Sequence, residues 1–163
     1  MPAKPTPESS PECPFYSNEN YEWNSSTGFL IASLHNHMRH ALDAELASFG
    51  DVSSAQWVVL MILSHHDDVM AANLAKRLNY DPGSMTRLLD RLQDKGLIQR
   101  TRLDDDRRCI RIELTEAGRT LAPQLPTAAI NAINKALTGF TAEEHQLLNS
   151  LLHRMIDNIK VSP

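Results

Sequence analysis

"NYDPGSMTRLLDRLQDKG", residues 79–96, writes a helix between two stop signals. Asp81 is placed to cap the first turn, Pro82 suits the first helical position, and Gly96 follows the last turn. Between them Met85, Leu88, Leu89 and Leu92 recur at helical spacing, so one face belongs to a core. The opposite face carries Gly83, Thr86, Arg87, Asp90 and Arg91, with Ser84 at its flank. Arg87 can donate two hydrogen bonds to a guanine edge, Ser84 and Thr86 can meet bases or phosphates, and a helix N-terminus favours a phosphate. The same face without such a partner is an ordinary solvated surface, so its neighbours in the chain decide between the two.

Upstream, residues 71–78 read as a shorter helix with Leu74 and Leu78 inward, joined to the first by a turn at 79–81. Downstream of Gly96 the period drops to two. Ile98, Arg100 and Arg102 lead in, and in "DDDRRCIRIELTEAG", residues 104–118, Ile110, Ile112 and Leu114 alternate with Cys109, Arg111 and Glu113. Two antiparallel strands joined by "LDDDRR", residues 103–108, make a hairpin with an exposed tip. Short helix, turn, helix and charged hairpin describe a winged helix-turn-helix, here spanning 51–117.

Charge supports that reading. The chain carries −4 overall, yet residues 76–111 hold ten basic against six acidic residues, a net of +4 that leaves −8 elsewhere. An acidic body with one cationic edge suits a soluble nucleic-acid binder. At the hairpin tip, Asp104, Asp105 and Asp106 would repel phosphates unless one of them serves an arginine. Asp106 stands two residues from Arg108 and can accept its forked donors, aiming the guanidinium outward at a narrow minor groove. Arg107 and Arg108 are therefore candidate DNA contacts, with Asp106 orienting Arg108.

The flanks are helical. Leu30, Leu34, Met38, Leu42 and Leu46 step by four between about 25 and 49. Ser53 and Gln56 form a capping-box pattern ahead of an apolar run from Trp57 to Leu63, which predicts a buried second helix. Thr115 caps a helix to about Leu137 that Pro123 and Pro126 should bend or break. Thr141 and Glu144 open the last helix, whose stripe of Leu147, Leu148, Leu151, Leu152, Met155, Ile156 and Ile159 is broad enough for a partner helix. The fold expected is mainly α with a small β-hairpin wing, a DNA-binding lobe set on a helical dimerisation region (24–50 and 118–163). Residues 1–23 form an N-terminal extension. Its first fourteen residues hold five of nine prolines and read as a mobile tail, and "FYSNENYEW", residues 15–23, holds four of nine aromatics, which should dock on the body or on a second subunit.

"DDDRRCIRIELTEAG" resembles the signature of the MarR family of bacterial transcription regulators through Asp106, Arg108, Leu114, Thr115 and Gly118, and "GSMTRLLDRLQDKGLIQR", residues 83–100, is similar to that family's recognition helix and following strand. The resemblance in helix order runs from about 25 to 160. It implies a homodimer built from the first and last helices, two lobes on successive major grooves of a pseudo-palindromic double-stranded operator, and a repressor released by a small phenolic or aromatic effector. In such relatives the effector sits between the dimer helices and the lobe. Ser33, His37, Arg39 and His40, with Trp57 as an apolar wall, are the candidate effector-binding residues here.

Other classes are poorly served. No apolar run approaches the roughly 20 residues of a membrane span, no basic-then-apolar leader begins the chain, and a cytoplasmic setting follows. Cys13 and Cys109 are too few and too far apart for a disulfide framework. No nucleophile elbow or phosphate loop completes an enzyme site, and no cofactor motif is present. His37 and His40 share a helix face without further ligands, so a metal-responsive regulator, a redox-responsive one, and a winged-helix module that binds protein in place of DNA stand as alternatives.

Overall fold

The computed structural model describes residues 15–67, 69–102 and 110–160. The proline-rich start, Cys13, Cys109 and the hairpin tip with Asp106, Arg107 and Arg108 lie outside the described residues. The chain divides into two compact units, residues 1–37 and 38–163.

In the first unit the aromatic segment docks on the start of α1 (Thr27–Leu46). The Tyr16 hydroxyl accepts the Thr27 N–H at 2.9 Å, meeting a helix-end donor that would otherwise lack a partner. The Ser26 hydroxyl donates to the Trp23 carbonyl at 2.8 Å and accepts the Phe29 N–H at 3.3 Å. The Trp23 and Phe29 rings meet edge to face, 5.2 Å between centroids. Phe15, Tyr21, Trp23, Leu30 and Leu34 nevertheless stay exposed.

The second unit is built around one core. Leu46 closes α1, and Gly50 and Asp51, both at positive φ, reverse the chain into α2 (Ser54–His65). The capping box forms as the sequence requires: Gln56 N–H to Ser53 Oγ at 3.3 Å and Ser53 N–H to Gln56 Oε1 at 3.1 Å. Val59, Leu60 and Leu63 are buried, while Trp57, Met61 and Ile62 are half-buried against the same core. Next come α3 (Ala71–Arg77) and α4 (Pro82–Asp94). Then β2 (Ile98–Arg102) and β3 (Ile110–Leu114) pair antiparallel, with Ile98 opposite Leu114 and Arg100 opposite Ile112.

The wing holds one strand more than the expected hairpin. β1 (Val69–Met70) pairs with β3 through Val69 and Ile112, giving the order β1-β3-β2. Two residues are too few to carry an alternation, so no period announces this strand. The helix expected from Thr115 to Leu137 is broken, not bent. α5 (Glu116–Leu121) gives way to a 3₁₀ turn at Ala122–Gln124, and α6 (Pro126–Ala136) starts anew, because Pro123 and Pro126 each remove an N–H donor. α7 (Ala142–Lys160) opens on the Thr141–Glu144 capping box, and its side chains are exposed or at most half-buried. Among the described residues no single helix is long and apolar enough to cross a membrane.

Candidate nucleic-acid interface

The geometry of α4 follows from its sequence. Asp81 takes the N-cap position and accepts the Ser84 N–H at 2.9 Å. Hydrogen bonds from Ser84, aided by the Arg87 charge, hold the Asp81 carboxyl below its ordinary value. At the other end Gly96, at φ 68, turns the chain into β2. Met85, Leu88, Leu89 and Leu92 are all buried, which fixes the opposite face outward.

On that face Arg87 and Ser84 are brought together. An Arg87 Nη donates to Ser84 Oγ at 3.0 Å, drawing the guanidinium back over the first turn of the helix. A Cβ on Gly83 would stand 3.7 Å from the other Arg87 Nη and 3.3 Å from an Asp81 oxygen. Thr86 is exposed, but its hydroxyl donates to the Pro82 carbonyl at 2.8 Å, so towards an incoming ligand it offers lone pairs only. Arg91 lies one turn further on, its Nε donating to the Arg87 carbonyl at 3.2 Å. All four α4 candidates thus occupy one exposed side of one capped helix.

Two residues on or beside this face were missing from the candidate set. Arg100 on β2 reaches back to α4, with Nη1 at 2.6 Å from Asp90 Oδ1 and Nη2 donating to the Thr86 carbonyl at 3.2 Å. Lys95, just past α4, donates to the Asp51 carbonyl and, at 3.1 Å, to Gln56 Oε1, tying the end of α4 to the entrance of α2. The sequence held a signal for Arg100. In the alternation Ile98, Arg100 it shares the core-facing side of its strand, and a charge placed there requires a partner. On the other side of the hairpin Glu113 accepts from Gln99 Nε2 at 3.2 Å and Thr101 Oγ1 at 3.3 Å, with Arg111 4.0 Å away.

The candidate effector residues are distributed differently. Ser33 and His37 lie together in the first unit, the Ser33 carbonyl 2.8 Å from His37 Nδ1. Arg39 and His40 are exposed in the second unit. Trp57 is half-buried on α2, and its Nε1 is shielded from solvent with no acceptor among the described residues.

A helix, a tight turn, a capped second helix with an outward polar face and a short antiparallel sheet behind it define a winged helix-turn-helix protein. The model of the MarR family matches residues 52–110, which span this lobe. The HTH-type transcriptional regulator SarZ of Staphylococcus haemolyticus is 31% identical over 108 residues, 66% of this chain and 73% of SarZ. The uncharacterised HTH-type transcriptional regulator YdgJ of Bacillus subtilis is 32% identical over 108 residues, 66% of each chain. The crystal structure of a mutant MarR from E. coli complexed with operator DNA superimposes with a TM-score of 0.71 at 28% identity, over 78% of this chain and 91% of that one. The chain belongs to the MarR family and is a transcriptional regulator, not an enzyme.

Proposed function

We propose that the chain acts as a homodimeric, sequence-specific repressor. Ser84, Thr86, Arg87 and Arg91 enter the major groove, and the hairpin tip, with Arg107 and with Arg108 oriented by Asp106, reaches the adjacent minor groove. The observation that carries this reading is the α4 face, where an exposed Arg87 is held over a capped helix N-terminus whose opposite side is wholly committed to the core. The net charge of +4 between residues 76 and 111 acts in the same direction. Two-fold symmetry of a dimer then calls for a pseudo-palindromic operator with half-sites about 10 bp apart, centre to centre.

Titration of duplex binding with salt tests the reading. A dimer neutralising several phosphates loses about 10³-fold or more in affinity between roughly 50 and 200 mM salt. Binding that ignores salt belongs to a protein-interaction module and overturns the proposal. With Arg87→Ala the cost on the preferred duplex is about 1–3 kcal/mol with relaxed base preference, whereas equal loss on every sequence would make Arg87 a phosphate contact.

The same proposal assigns release to a small aromatic acid or phenol. The indole N–H of Trp57, enclosed and without an acceptor among the described residues, supports a ligand that brings an oxygen to it. Thermal unfolding with benzoate and hydroxybenzoates checks this, a raised midpoint in the wild type and none in Trp57→Phe being the expected pair.

A further inference from the structure

We infer that Arg100 is a positioning residue for sequence reading, which fixes the seat of α4 on the wing sheet and does not itself touch DNA. The inference rests on the DNA-binding reading above. Arg100 continues the inward side of β2 two residues after Ile98, which is buried, and stands opposite the buried Ile112. A guanidinium at the margin of an apolar core needs acceptors, and this one finds two on α4, Asp90 Oδ1 at 2.6 Å and the Thr86 carbonyl at 3.2 Å. Residues 86 and 90 are one helical turn apart. A planar fork that engages both therefore resists sliding of α4 along its axis as well as rotation about it.

Arg87, which we place on the bases, lies between these two anchors in the chain, and Ser84, which holds Arg87, lies just before them. Movement of α4 at the fork would carry both away from the bases. The Arg100 side chain is 25% exposed and that of Asp90 48%, so the pair is partly wet and its effect on stability is modest, while its effect on geometry is direct. Because Asp90 already neutralises Arg100, the intact pair neutralises no phosphate and releases no counterion on binding.

The test uses the full chain and a pool of duplexes with randomised centres. Wild type is used to select a common sequence, and affinities are then measured on the selected duplex and on the unselected pool. Arg100→Lys keeps the charge and loses the fork, and Asp90→Asn keeps the shape and loses the pair. Each is expected to weaken the selected duplex about ten-fold or more while moving the unselected pool by less than about three-fold, and Arg100→Lys, which keeps the charge, should leave the salt slope unchanged. The exchange Asp90→Arg with Arg100→Asp should recover more than the two single changes predict. Parallel loss on both duplexes with a slope shallower by about one marks a phosphate contact and overturns the inference. So does wild-type behaviour of Arg100→Lys, or equal loss on both duplexes accompanied by a lowered unfolding midpoint. A wild type that selects no sequence overturns the DNA-reading proposal and this inference with it.

Discussion

Gly118 shows how one missing side chain sets the register of the lobe. A Cβ at this position would stand 2.1 Å from the Leu97 carbonyl oxygen and 3.2 Å from a methyl of Leu114. The Leu97 carbonyl cannot retreat freely, because it accepts the Thr115 N–H at 3.1 Å while Thr115 Oγ1 caps α5 through the Gly118 N–H. The glycine at the end of the family signature is thus a close approach of α5 to the turn that ends α4. Gly118→Ala should cost about 1–3 kcal/mol through forced displacement, read as a fall of several degrees in the unfolding midpoint. Gly28→Ala, where a Cβ meets nothing within 4 Å, is the matched control and should leave the midpoint in place. An unshifted midpoint for Gly118→Ala would mean that α5 can slide at little cost.

At the scale of the element, α4 is the part most fully written in the sequence. Its cap, first proline, stripe and terminal glycine sit at 81, 82, 85–92 and 96, and each is a local signal that needs no tertiary context. The cap also carries a pH dependence. Asp81 is held below its ordinary value, so the charged cap stabilises α4 fully above the usual aspartate range, and this support is lost as pH falls through the lowered value. Comparing unfolding midpoints of wild type and Asp81→Asn down a pH series should give a difference that closes only on acidification past the normal aspartate range. A difference that stays constant would remove the carboxylate charge from the account. What the sequence hid was the relation between elements. β1 is two residues long and exists because β3 offers it an edge, and Arg100 and Lys95 matter through partners 10 to 44 residues away. Periodicity marks which side of an element turns inward but not what it meets there, which is why Arg87 and Ser84 were legible and the brace behind them was not.

For the whole molecule the decisive quantity is apolar surface left in water. Along α7, Leu147, Leu151, Ile156 and Ile159 are exposed, while Leu148, Leu152 and Met155 are only half-buried. A contiguous stripe of this kind is rarely left wet on a soluble protein, and each Å² removed from water is worth about 25 cal/mol. On the proposed reading a second copy of the same chain would cover such a stripe by two-fold symmetry, and the same symmetry would place two α4 helices on one duplex, linking association to DNA binding. Wild type is accordingly expected to sediment at twice 18.3 kDa. Leu151→Glu sets a charge in the middle of the stripe at a position already exposed in the single chain, so the lobe should fold normally and its unfolding should remain cooperative. The variant should sediment as a monomer and lose about 10²-fold or more in affinity for a duplex with two half-sites, because each lobe then binds without the effective concentration its twin supplies. On a duplex with one half-site the variant and wild type should differ little. Equal affinity of both proteins for the two-site duplex would separate dimerisation from recognition, and a monomeric wild type would leave the α7 stripe to another partner.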